Sequence, residues 1–348
     1  MKKFSWKKLS LIGVGVAIVA SITLYYAITK SAKASFSAIN PAFGEYISSY
    51  TSLSVNSGSS IRIILAKEAI DSSAVGETSI KLFEFSPSIK GITVWLDRRT
   101  VEFKPSGRLK SGQVYTVSFL LSKLMRVPQA LATFEYAFQV IPQNYELSID
   151  NVLPYVKTQL ARQKIEGTVS TADFAQSAAV EKILSANQEG KSLKVSWTHT
   201  SEGKLHSFIV EDVERKEKPS VVSLTANGNA LDVDHREQKE IEIPSLNDFK
   251  VTNVAVEQGS NQHVVIQFSD PLSERQNLEG LISLAGLSSL DFEIKDNQVL
   301  VFLPARQIGS RQLQIEPGIL NSLDYKMPAG GTFEVSFEQL LPAARFTG

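Results

Sequence analysis

Proline punctuation at one fixed interval constrains this chain more than any other feature. Pro41, Pro142, Pro244 and Pro342 follow Asn40, Ile141, Ile243 and Leu341. The intervals are all about 100 residues, the length of one two-sheet β-sandwich. Proline lacks an N–H and has a fixed φ, so it suits strand ends and stiff joints between domains. Between the prolines, short β-rich runs lead into polar turns. Ile61–Leu65 runs toward Ile70-Asp71, and His263–Phe268 toward Asp270-Pro271. Runs of this length and composition read as strands.

The interiors of the first and third intervals repeat one another. Thr93–Leu96, the turn Asp97-Arg98-Arg99 and Thr100–Pro105 make one hairpin pattern. Phe292–Ile294, the turn Lys295-Asp296-Asn297 and Gln298–Pro304 make its counterpart. Thr133-Phe134-Glu135-Tyr136-Ala137-Phe138 is answered by Thr332-Phe333-Glu334-Val335-Ser336-Phe337. At a period of two, Phe134 and Phe138 share one strand face, as do Phe333 and Phe337. The middle interval diverges, but the alternation of Leu193, Val195 and Trp197 predicts one strand with all three buried on one side. Helical signals are few: Ala175–Asn187 is the best candidate for a turn or two of helix and Tyr155–Gln163 is ambiguous. The spacing predicts sandwiches over 36–142, 143–244 and 245–341, with 342–348 opening a truncated further domain.

The first residues carry an address. Lys2, Lys3, Lys7 and Lys8 precede Leu9–Ile28, a stretch without a charge. Twenty helical residues span about 30 Å, the thickness of a bilayer's hydrocarbon. Tyr25 and Tyr26 fall where interfacial rings would lie. The expectation is a cytoplasmic leader and signal anchor over 1–35, with a transmembrane helix at 9–28. The lysine bias puts everything beyond it outside the cytoplasm. Cleavage after Ala34, in the small-x-small triplet Ala32-Lys33-Ala34, would instead give a secreted chain.

Composition removes whole classes of chemistry. Cysteine is absent, which excludes disulfides, thiolate zinc sites, iron–sulfur clusters and cysteine nucleophiles. Thirty-six basic residues balance 36 acidic ones, which argues against nucleic acid as a partner. No cofactor motif stands out, so none is expected, and the chain does not read as an enzyme.

One resemblance runs through the strand patterns. The segment from Ile39 through Gly44-Glu45-Tyr46, Phe83–Phe119 and Phe134–Gln143 resembles the N-terminal end of a bacterial α2-macroglobulin. It extends more weakly over the second and third intervals, and Leu341–Gly348 is similar to the start of a following module. The resemblance implies an all-β chain: the anchor, then three tandem Ig-like, macroglobulin-type sandwiches. It also implies a role as the stalk of a cell-envelope endopeptidase inhibitor, whose partners would be target proteases met through further domains and the membrane met through the N-terminal helix. In members of that family a bait segment is cut by the trapped protease, and many then expose a Cys–Gln thioester. No cysteine is present to form one here. The alternative is an Ig-like adhesion or interaction module that binds protein or glycan through its loops.

Several clusters invite chemistry, each with a plainer reading. Asp232, Asp234, His235 and Glu237 could meet a calcium ion, but Arg236, Lys239, Glu240 and Glu242 beside them suggest a charged strand edge. His199 and His206 flank the turn Thr200–Leu205 and could share a metal, yet no third ligand is near in sequence. Arg98 and Arg99 could receive an anion, although a solvated turn explains them. Ser5-Trp6-Lys7-Lys8 has the S-x-x-K spelling without a fold around it. Gly13-Val14-Gly15 has no preceding strand. Trp95 and Trp197 read as core. No catalytic, cofactor or metal residue is therefore assigned.

Overall fold

A computed structural model describes residues 39–51 and 53–339. Two compact units result. One ends at Gln143 and also takes Ala172–Phe174, and the other comprises Asn144–Thr171 with Ala175 onward.

The first unit is one sandwich. Its strands are β1 (Ile47–Tyr50), β2 (Ser54–Val55), β3 (Ile61–Leu65), β4 (Gly76–Thr78) and β5 (Phe83–Ser86), then β6 (Gly91–Trp95), β7 (Thr100–Pro105), β8 (Val114–Phe119) and β9 (Phe134–Val140). A sheet ordered β1-β3-β7-β6-β4 faces one ordered β2-β9-β8-β5. The opening segment divides between them: β1 lies antiparallel to β3, and β2 runs parallel to β9. The interior is aromatic. Phe134 meets Phe43 edge-on at 5.0 Å and Tyr50 at 5.2 Å, and Phe83 packs on Phe119 at 5.1 Å. Edge-to-face pairs of this kind add roughly 0.5–1.5 kcal/mol to the gain from burial.

The second unit holds two sandwiches. One is built from β10 (Tyr145–Pro154), β11 (Arg162–Thr171), β12 (Leu184–Gln188) and β13 (Lys191–Leu193), then β14 (Val195–His199), β15 (Leu205–Glu214), β16 (Ser220–Asn227) and β17 (Arg236–Ile243). Its sheets run β10-β11-β15-β14 and β13-β12-β16-β17. The other has β18 (Val251–Glu257), β19 (His263–Phe268), β20 (Ile282–Leu284) and β21 (Asp291–Lys295), then β22 (Gln298–Phe302), β23 (Gly309–Ile315) and β24 (Gly331–Phe337). Its sheets run β18-β19-β22-β21 and β20-β23-β24. Lettered A to G in chain order, this last sandwich is A-B-E-D against C-F-G, and the one before it adds a C′ strand beside C. That is the immunoglobulin arrangement, so the Ig-like fold stands on the topology.

Alternation explains why these segments are strands. In β11 every second side chain from Gln163 to Thr171 is buried, and β16 and β22 keep the same period. Each sandwich encloses its own cluster, centred on Phe134 and Phe138, on Phe208 and Val222, and on Phe268 and Val299. Gly167 lies opposite Phe208 across β11 and β15. A Cβ at Gly167 would stand 2.3 Å from the Phe208 ring and 2.5 Å from the Ser148 carbonyl, so only glycine admits the ring there.

Two expectations are corrected and one is met. The fold class of the described residues is all-β, and among them no helix is long and apolar enough to cross a membrane, so the expected transmembrane helix is no part of it. The one α-helix among them, α1, has four residues (Ser177–Val180). Leu9–Ile28, where the span was expected, lies outside the described residues, as do Ser5–Lys8, Gly13–Gly15, Pro342 and the tail 342–348. The turn or two of helix expected within Ala175–Asn187 is α1, and Leu184–Gln188 beyond it is drawn into a central strand between β13 and β16. The single strand expected over Leu193–Trp197 breaks at Lys194, with β13 and β14 in opposite sheets. Leu193, Val195 and Trp197 still pack on one core, half-buried.

Candidate functional site

Within the second unit, the two sandwiches meet at a joint made by one buried cation. Arg215 follows the end of β15, where its N–H donates to the Ala161 carbonyl at 2.9 Å. Its side chain has no solvent exposure. One Nη donates to Asp270 Oδ1 at 2.6 Å and to the Ser269 carbonyl at 3.1 Å. The other donates to the carbonyls of Ser245 and Asp248 at 2.8 and 3.1 Å. Nε reaches the Pro244 and Ser245 carbonyls, both at 3.2 Å. Asp270 is matched in turn by the Ser269 hydroxyl at 3.0 Å and by Asn321 Nδ2 at 2.7 Å. A buried ion pair repays its desolvation only when every lone pair and proton is used in this way.

Around it the joint is polar and layered. Gln267 Nε2 donates to Asn151 Oδ1 at 2.6 Å, and Asn297 Nδ2 donates to the Val152 carbonyl at 3.0 Å. Lys157 pairs with Glu274 at 2.8 Å and Asp296 at 3.1 Å, and these hydrogen bonds raise its pKa above the usual lysine value. Lys250 pairs with Glu242 at 2.9 Å and Asp248 at 3.2 Å, with the same effect. Beside the clamp lies a cavity of about 380 Å³ between the two sandwiches, with Val152 and Gln163 on one wall and Val251 and Phe268 on the other.

The clusters singled out in the sequence fare differently. His199 and His206 do come together, as opposed residues of β14 and β15 with Nδ1 atoms 2.8 Å apart. Glu181, which the sequence spacing did not bring near, lies 3.2 Å from His199 Nε2. It therefore orients one ring from behind. Asp232 and Asp234 do not share a strand face. Asp232 caps a 3₁₀ turn (Gly228–Leu231) in the left-handed region at φ 57°, and β17 starts only at Arg236. His235 packs its ring on Tyr145 instead. Among the described residues no group of three or more His, Asp or Glu side chains could hold a metal ion.

Arg98 and Arg99 are tied into the first sandwich. Arg98 pairs with Glu68 at 2.9 Å and donates to the Ile70 carbonyl at 3.2 Å, and Arg99 donates to the Leu65 carbonyl at 3.0 Å. Asp97 closes their turn by accepting the Arg99 and Thr100 N–H groups, with the Arg99 bond the main cause of its lowered pKa. Trp95 is buried and Trp197 half-buried, both against core residues. The residues that build the joint (Arg215, Asp270, Asn321, Gln163) carry no local motif. Arg215 sits in the charged run Glu214-Arg215-Lys216-Glu217-Lys218, where nothing local separates it from its neighbours.

No family model matches this sequence, and no curated protein matches it. Solved structures with similarity include the full ectodomain (Ig1–Ig3) of mouse nectin-like molecule 4, at 12% identity over 84% of this chain and 99% of that one, with a TM-score of 0.25. Another is the Bacteroides ovatus mixed-linkage glucan utilization locus protein SGBP-B in complex with a mixed-linkage heptasaccharide, at 9% identity over 82% of this chain and 65% of that one, TM-score 0.25. A marsupial T cell receptor is 9% identical over 82% of this chain and 98% of that one, TM-score 0.20. None of them names an α2-macroglobulin, and at these scores they carry no argument about function. The chain is an array of Ig-like sandwiches.

Proposed function

We propose that this array serves as a non-catalytic spacer and interaction segment, and specifically as the stalk portion of an α2-macroglobulin-like endopeptidase inhibitor acting outside the cytoplasm. The observation that carries the spacer reading is the Arg215 clamp. A spacer must hold its modules in one orientation, and a fully desolvated, fully bonded Arg–Asp pair fixes two sandwiches far more firmly than exposed pairs do. The finer inhibitor reading is supported by the strand patterns at Phe83–Phe119 and Phe134–Gln143, with endopeptidases as partners and the trapping chemistry in other domains.

The test is steric trapping by the native-length protein purified from its own cells. After incubation with trypsin-like, subtilisin-like and metal-dependent endopeptidases, protease activity on casein should fall while activity on small peptide substrates survives. Unchanged digestion of casein by every protease overturns the inhibitor reading.

A further inference from the structure

We infer that the cavity between the two sandwiches of the second unit is a binding site for a neutral saccharide of one or two rings. Its size, about 380 Å³, lies at the small end of the roughly 300–1,000 Å³ typical of ligand pockets, which favour domain interfaces.

The backbone is reshaped at this place on both sides. Three strand pairs slip register beside the cavity, each slip involving at least one lining residue: Ile149, Gln163, or Val251 with Asn253. The β10–β11 pair does so at Ile149/Asn151, β11–β15 at Gln163/Ile165 and β18–β19 at Val251/Asn253. Bulges concentrate beside binding sites because they re-aim side chains.

The hydrogen-bond inventory says what the occupant must offer. Gln163 is 1% exposed and lines the cavity, yet its Oε1 meets no donor. A buried amide oxygen left in that state carries an uncompensated desolvation cost, so the site calls for a donor. The hydroxyl protons beside it and one amide proton of Gln267 are already engaged. Thr252 donates to the Gln267 carbonyl at 3.1 Å, and Gln267 to Asn151 at 2.6 Å. The single Ser269 hydroxyl proton is shared between the Asp248 carbonyl and Asp270 Oδ1, both at 3.0 Å. Lys250 is held between Glu242 and Asp248. An acceptor-only anion such as phosphate or acetate finds no free ammonium here, and a cation would meet Lys250. A neutral molecule rich in hydroxyl donors meets neither obstacle. The apolar part of the wall, Val152, Val251 and Phe268 among it, suits the C–H face of a sugar ring.

Isotope-labelled protein titrated with glucose, galactose, N-acetylglucosamine, cellobiose, lactose and chitobiose tests this. At least one should give saturable NMR shifts at the Gln163 side-chain amide and at the Val251, Thr252 and Asn253 backbone. Phosphate and acetate should give none. Gln163→Leu keeps the volume and removes the acceptor, and it should weaken binding tenfold or more. Val251→Trp, which fills the cavity from the opposite wall, should abolish binding even if the first variant folds poorly. Failure of every sugar to saturate, saturation that both variants leave unchanged, or displacement of the sugar by phosphate overturns the proposal.

Discussion

The Nδ1 atoms of His199 and His206 face each other at 2.8 Å across the β14–β15 hairpin, a distance that holds one shared proton and not two. Glu181 fixes the arrangement from outside. Its Oε1 lies 3.2 Å from His199 Nε2, so that nitrogen donates and His199 Nδ1 presents a lone pair. His206 then supplies the shared proton from its own Nδ1, and its Nε2 is buried without a partner.

This pair makes stability fall in acid. Burial, then the neighbouring His199 ring, hold the His206 pKa below its ordinary 6.5, against a weaker opposing pull from the Gly203 carbonyl dipole. A group with a depressed folded pKa binds fewer protons folded than unfolded. Stability is therefore full above about pH 6.5 and declines as pH drops toward the folded pKa. Urea midpoints at pH 7.5 and 5.5 should show the loss, and His206→Phe should flatten the difference. An equal pH response in the variant would contradict the assignment.

Removing the clamp cation should be costly. Arg215→Met leaves Asp270 charged and buried with its main partner gone, a loss of about 3–5 kcal/mol. The double variant Arg215→Met, Asp270→Leu should recover most of it, because neither charge is then stranded. Lys157→Ala, which breaks half-exposed pairs with Glu274 and Asp296, should cost only about 0.2–1 kcal/mol. Chemical denaturation measures all three.

Gly167→Ala should cost about 1–3 kcal/mol, since its new methyl meets the Phe208 ring and the Ser148 carbonyl. Gly259→Ala, where nothing lies within 4 Å of the new carbon, should stay within about 0.5 kcal/mol of the parent. The contrast in denaturation midpoints separates close packing from general glycine effects.

Phe134→Ala should destabilise the first sandwich by about 3–5 kcal/mol. Phe134 stands between Phe43, Tyr50 and Tyr136, so the cavity left behind has three aromatic walls that cannot all close on it. Near-ultraviolet circular dichroism during thermal unfolding reports it.

The sequence by itself determined the elements whose information is local. The hairpin at Asp97–Arg99 pairs Trp95 with Val101, and the one read at Lys295–Asn297 is one residue tighter, with Lys295 in the strand opposite Gln298, because alternating apolar residues and a polar turn are legible within a dozen residues while the last strand residue is not. The buried faces at Phe134 and Phe138 follow from the same period of two. Tertiary structure alone decided the change of sheet at Lys194, the capture of Leu184–Gln188 as a strand, and the roles of Arg215 and Gln163. Arg215 reads like any residue of a charged run until Asp270, 55 positions away, closes on it. The physical reason is that local pattern fixes which face of a strand is apolar. Which polar group loses its water depends on the partner surface brought against it, and that surface comes from distant sequence.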